Sequence, residues 1–224
     1  MGQYRISELN IEIETNSSTL IKNLARYETS FDYRPNLSLS ITNDIMLDLM
    51  EEYAGHSADV IECEYISTEY ARSLFDFNGF PLRATAVECD DCCVLFCCPF
   101  KEERICDLLP QDKIFAIDCP GIRLIDGIFY AYGTPFGLDG HRSKDIKLPI
   151  KAIVYVDAES YDSLKRLDTK NMVNAFIRSV MLAIRGERTK HSLFMLEKLM
   201  KVVDLYGVSD LKDVDFILEK VTDN

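Results

Sequence analysis

Apolar and polar positions alternate in three short runs near the start of the chain: Tyr4 and Ile6, then Leu9, Ile11 and Ile13, then Leu37, Leu39 and Ile41. A period of two is that of strands with one buried face, so an N-terminal β element is predicted. Thr42 or Asn43 then caps a helix through Ile45, Met46, Leu49, Met50 and Tyr53. Ser67 is predicted to cap a second helix through Tyr70, Ala71, Leu74 and Phe75, closing near Gly79. Beyond residue 78 the pattern changes to short β-branched and aromatic runs at 82–87, 92–97, 113–118, 122–125, 128–132 and 152–156, with turn residues between them. Asp126-Gly127 predicts a tight type I′ hairpin. In the last third, Asp168 or Thr169 caps a helix through Met172, Phe176, Val180 and Ile184, and residues 189–206 form another that ends at Gly207. The expected architecture is α/β: a mixed sheet flanked by helices (79–224), with an N-terminal α+β segment (1–78) packed on it, as two units or one continuous domain.

Composition supports a folded core. A chain of 224 residues can bury about 70% of its unfolded surface, and 47% hydrophobic with 28% charged residues lies outside the regime of disorder. The net charge of −12 argues against nucleic acid and anionic membrane as partners, since both are bound through clustered Lys and Arg. The acidity reads as spread along the chain, a solubility feature. Residues 1–10 are polar and include Arg5 and Glu8, and no apolar run reaches membrane-spanning length, so a cytoplasmic location is expected.

Seven of the eight cysteines fall between Cys89 and Cys119. Cys92-Cys93 and Cys97-Cys98 are adjacent pairs on a predicted strand, whose neighbours point to opposite faces, so neither pair can turn both sulfurs to one ion. Cys89-x-x-Cys92 has knuckle spacing, but Asp90-Asp91 between them reads as a hairpin turn. Core thiols are the expected reading, with metal binding and redox chemistry as the alternatives. His56, His141 and His191 sit in polar contexts with no nucleophile elbow nearby, which leaves Ser/His/Asp hydrolysis unsupported.

Several motifs occur in a fixed order: Phe80-Pro-Leu-Arg-Ala-Thr-Ala-Val87, Cys92-Cys-Val-Leu-Phe-Cys-Cys-Pro99, Arg123-Leu-Ile-Asp-Gly127, Tyr132-Gly-Thr-Pro-Phe136 and Leu148-Pro-Ile-Lys-Ala-Ile-Val-Tyr-Val156. Over residues 70–185 this series resembles the HPr kinase and phosphoenolpyruvate carboxykinase-like group of P-loop proteins. The resemblance implies that group's mixed-sheet fold. It also implies a phosphate loop after the second motif, where the group carries glycines followed by Gly-Lys-Ser/Thr. Here the loop positions are Pro99, Phe100, Lys101, Glu102, Glu103, Arg104 and Ile105. Arg104 falls at the lysine and Ile105 at the Mg²⁺-binding hydroxyl, and Glu102 and Glu103 would face phosphates. The segment before Pro110 leaves room for about one helical turn. The group's acidic pair corresponds to Ile117 and Asp118, its histidine to Arg83, and its Trp to Phe136. Arg123, Thr134 and the loop Gly137-Leu138-Asp139-Gly140-His141-Arg142 keep the architecture, with Arg83, Arg123, Thr134 and Arg142 as pocket candidates. Arg104, Asp118 and Arg123 read equally as pocket residues or as surface ion-pair residues.

The implied function is that of a catalytically degenerate member, a pseudoenzyme binding a protein or peptide partner, such as an active paralogue. No cofactor and no metal are expected. The alternative is an active kinase of a peptide or small molecule, using ATP and Mg²⁺ with Lys101 and Arg104 as clamp and Asp118 as base. The helices at 168–206 carry more apolar positions than one face needs, so a homo-oligomer is a further expectation.

Overall fold

The computed structural model describes residues 1–98, 105–157, 163–179 and 187–223. The N-terminal segment begins with a hairpin of β1 (Gly2–Ile6) and β2 (Leu9–Ile13). Its turn residues Ser7 and Glu8 have φ of 52° and 61°, the left-handed pair that a type I′ turn requires. After α1 (Ser18–Leu24), capped by the Ser17 hydroxyl, β3 (Leu37–Leu39) adds parallel to β2. α2 (Asn43–Glu52) starts at the expected Thr42 cap.

α3 (Ala58–Ser73) differs from expectation. It starts at Ser57, whose hydroxyl accepts from the Val60 amide, and Ser67 lies inside it, donating to the Cys63 carbonyl at 2.7 Å. The buried face of α3 includes Glu62, Cys63 and Ser67 beside Ile61, Ile66 and Tyr70, so polar residues interrupt the apolar period over its first turns. Glu62 is satisfied there by the Asn16 amide at 2.7 Å. A 3-10 turn, Leu74–Phe77, follows, and left-handed Asn78 closes the segment one residue before Gly79.

The remaining strands form one curled, mixed sheet. β4 (Gly79–Pro81), β5 (Thr85–Cys89), β6 (Cys92–Cys97), β7 (Ile114–Ala116), β8 (Gly121–Ile125), β9 (Ile128–Tyr132) and β10 (Lys147–Val156) lie in the order β4-β8-β9-β10-β6-β5-β7. Asp126 and Gly127, both at positive φ, make the expected β8–β9 turn. β10 changes partners along its length: 147–149 pair antiparallel with β9, and from Ile150 onward the strand pairs parallel with β6, with a register shift between Ile150 and Ala152. That irregularity bends the strand and helps curl the sheet. The end of β10, Ala152 to Val156, is buried throughout, as expected of a central parallel strand covered on both faces.

The C-terminal third supplies the covers. α4 (Thr169–Ser179) is capped by Asp168, whose carboxylate accepts from the Asn171 amide at 2.8 Å. Val180 and Ile184, expected on this helix, lie outside the described residues. The helix predicted for 189–206 is instead α5 (Glu187–Val202) followed by a strand, Asp204–Val208, with Gly207 inside the strand. That strand is β12; it pairs parallel with β10 and antiparallel with the short β11 (Lys165–Arg166). The open edge of β10 provides a hydrogen-bonding partner that helix periodicity does not register. A last helix, α6 (Val214–Thr222), was not anticipated.

Three apolar clusters result. α4 and α5 cover one sheet face with Phe176, Leu196 and Leu199 against Phe80 and Phe129. α6 covers the other with Ile217, Leu218 and Val221 against Phe96, Val154 and Val208. The third lies between the N-terminal sheet, α1 and α3, and is completed by Cys119 and Phe136 of the large sheet's loops. No helix among the described residues is long and apolar enough to cross a membrane.

Candidate functional site

Two regions of the fold offer candidate sites: the ends of the parallel strands, and a groove on the N-terminal helices. β6 leads out of the sheet at Cys97, and Pro99, Phe100, Lys101, Glu102, Glu103 and Arg104 lie outside the described residues. Ile105 opens a single 3-10 turn, Ile105–Asp107, and packs against the α6-side cluster. Arg142 reaches this turn, with Nη1 3.4 Å from the Asp107 carboxylate and Nη2 bonded to Gln111, so it ties two loops together.

Arg123 and Thr134 are used inside the structure. The Arg123 guanidinium donates through Nε to the Phe77 carbonyl at 3.1 Å and through Nη1 to the Ser7 carbonyl at 2.6 Å, joining β8 to the N-terminal hairpin. Thr134 is fully buried and donates to the Cys119 carbonyl at 2.6 Å. Arg83 and Asp118 remain exposed; the Arg83 amide donates to the Ser179 carbonyl, and Asp118 is held at φ 63°. Both act on Glu64 of α3. The Glu64 carboxyl is pushed above its usual range, first by the protein packed round it and then by the charge of Asp118, with Arg83 opposing.

The thiols are of the core type. Cys63, Cys93, Cys97, Cys106 and Cys119 are buried, and Cys89, Cys92 and Cys98 are half-buried. Burial pushes Cys89 up to about 11 and Cys63 and Cys119 to about 12, which leaves little thiolate at neutral pH. No group of three or more His, Cys, Asp and Glu among the described residues is placed to hold a metal ion.

A concavity of about 790 Å³ lies between α2 and α3. Ile45, Leu49 and Tyr53 line it from the α2 side, and Val60, Ile61 and Tyr65 from α3. Leu138 also lines it. It is presented there because Gly137, at φ 86°, donates its amide to Ser67 and accepts from Cys63 Sγ and Asn23 Nδ2, which fastens the loop to α1 and α3. A side chain at residue 137 would be strained by that φ. Glu64, Glu69 and Arg72 also line the groove, the last two as an ion pair.

α2 has no buried residue, although it is amphipathic. Leu47 is 63%, Met50 44% and, just past its end, Tyr53 48% exposed. Of these, Tyr53 lines the groove, as do the half-buried Ile45 and Leu49, so the groove presents apolar surface that the chain leaves partly exposed.

Sequence reasoning passed over this region because its helices carry no catalytic motif. A signal was nonetheless present. Between Arg34 and Arg72 the chain has no Lys or Arg but eight carboxylates: Asp44, Asp48, Glu51, Glu52, Asp59, Glu62, Glu64 and Glu69. This stretch alone carries −8 of the chain's −12, leaving −4 for the rest, so the acidity is concentrated on the groove helices rather than spread along the chain. Neither a protein-family model nor a curated protein matches the chain.

Proposed function

We propose that this protein is a catalytically degenerate, kinase-like protein that acts by binding a protein or peptide partner in the α2–α3 groove. The observation that carries the reading is the groove itself, an apolar concavity walled by a helix with no buried residue. A partner's apolar side chains would bury there the surface that the chain leaves exposed, at about 25 cal/mol per Å².

The non-catalytic half of the reading rests on what phosphoryl transfer needs. A phosphate loop brings backbone N–H groups close to the phosphates, which takes glycine, and there is none between Gly79 and Gly121. Glu102-Glu103 adds negative charge where phosphate would sit, and Ile105 offers Mg²⁺ no oxygen. Kinases work almost wholly through positioning and electrostatics, so losing these parts together removes the activity rather than slowing it.

Two measurements test the proposal. Calorimetric titration with ATP, with and without Mg²⁺, is expected to give no heat up to millimolar nucleotide. Fluorescence anisotropy with labelled helical peptides bearing leucine on one face is expected to show binding that Leu49→Asp abolishes without lowering Tm. Micromolar ATP binding with transfer of phosphate to any acceptor would overturn the reading, as would peptide binding indifferent to Leu49→Asp.

A further inference from the structure

Building on the groove reading, we infer that the occupant is a basic amphipathic helix: an apolar stripe that enters the groove, flanked by Lys or Arg that meet the carboxylates beside it.

The charge is placed for this. On α2, residues four apart share a face, so Asp48 and Glu52 run as a stripe next to Ile45 and Leu49, which line the groove. Across the groove, α3 contributes Glu64 and Glu69. Glu69 is already paired with Arg72, the one Lys or Arg lining the groove among the described residues, while Arg83 and Asp118 both act on Glu64. Asp48 and Glu52, both exposed on the α2 side, form no salt bridge among the described residues. An apolar segment with acidic flanks would bring like charges together, and a neutral one would leave the carboxylates without a counter-charge.

The dimensions suit a helix. At about 1.5 Å per residue, α2 and α3, with 10 and 16 residues, run for about 15 and 24 Å, so the shorter wall seats about three turns of a third helix. Helix-in-groove binding of this kind uses apolar anchors at i, i+3, i+4 and i+7, the spacing at which Ile45 and Leu49 themselves recur. A second copy of this chain is disfavoured as occupant through the same face, because a two-fold contact would set one −8 segment against another.

The test is a series of three labelled amphipathic peptides of about 18 residues, long enough to be helical, with the same leucine stripe and with Lys, Gln or Glu on the polar face. Anisotropy is read with the full chain at about 0.05 M and about 0.3 M salt, which brackets strong and weak screening. The Lys peptide is expected to bind about tenfold or more tighter than the Gln peptide at the lower salt, to lose that advantage at the higher, and the Glu peptide is expected not to bind. Combining Asp48→Asn, Glu52→Gln and Glu64→Gln should remove the advantage of the Lys peptide over the Gln peptide, while Asp126→Asn in the β8–β9 turn should leave both affinities as in the wild type. Equal affinity for the Lys and Gln peptides, both lost in Leu49→Asp, would overturn the basic partner and leave the groove reading standing. Binding of none of the three would overturn both. A Lys advantage that survives the triple substitution would mean general attraction to an acidic protein and would also overturn the inference.

Discussion

The hydroxyls of Ser7 and Tyr70 lie 2.6 Å apart in the interior, joining the turn of the N-terminal hairpin to the last turn of α3. Gly121 at the start of β8 makes room for them: a Cβ there would stand 2.1 Å from Ser7 Oγ and 2.6 Å from the Tyr70 hydroxyl. Tyr70 in turn stacks on Phe136 with ring centroids 4.1 Å apart, so the N-terminal segment and the loops of the large sheet share one packed junction.

Gly121→Ala should therefore destabilise the fold by about 1–3 kcal/mol, the usual cost of overpacking a close-packed site. Urea denaturation should show a lower midpoint at unchanged slope. Ser7→Gly in the same chain should recover part of the loss, because it removes the nearest clashing atom and suits the left-handed φ at that position. An unchanged midpoint in Gly121→Ala would mean that the junction is looser than its geometry indicates.

Arg123 acts on the same junction, so its removal should be felt in stability and not in binding. Arg123→Ala deletes hydrogen bonds from a charged group to two backbone carbonyls, Phe77 and Ser7, each kind worth about 1.5–3 kcal/mol. Lys should rescue it poorly, since one ammonium cannot reproduce the planar fork that reaches both carbonyls. Peptide affinity measured by anisotropy should stay as in the wild type; a loss of affinity in the folded variant would return Arg123 to a pocket role.

Asp59 provides a pH signature in acid. Its carboxylate accepts from Ser18 Oγ at 2.9 Å, the Thr19 amide at 3.2 Å and Thr19 Oγ1 at 2.5 Å, and these bonds hold it down at about 2 against an ordinary 3.8. A depressed folded value stabilises at pH above the ordinary value, and that stability is lost as pH falls from about 4 towards about 2. Asp59→Asn should lower Tm at neutral pH, and its Tm curve should converge with the wild type across that window. Parallel curves would show that the α1–α3 clamp does not depend on the charge.

Glu64 should do the opposite. Its folded value is raised, by surrounding protein first and Asp118 second, so its contribution is full below the ordinary 4.5 and is lost as pH rises through the raised value. Glu64→Gln should accordingly raise Tm at neutral pH and match the wild type in acid. A neutral-pH Tm equal to or below that of the wild type would show that Arg83 offsets the burial.

The sequence by itself determined the strands that alternate or run apolar, the Asp126-Gly127 and Asp90-Asp91 turns, and two helix starts to within one residue, at Thr42 or Asn43 and at Asp168 or Thr169, because each is set by neighbours a few residues away. It also determined the absence of glycine between Gly79 and Gly121. The acidity, read as spread, became a feature of one place only because α2 and α3 wall one groove. Only the tertiary structure decided that α3 starts at Ser57, since Glu62 and Ser67 are tolerated on its buried face by partners at Asn16 and Gly137, distant in the chain. The same holds for Asp204–Val208, a strand because the edge of β10 was open to it. Arg123 and Thr134, candidates for a pocket by position, became internal ties once the N-terminal hairpin and Cys119 came within reach. The groove itself is lined by α2, α3 and Leu138, a residue far along the chain from both helices, and no local pattern encodes that meeting.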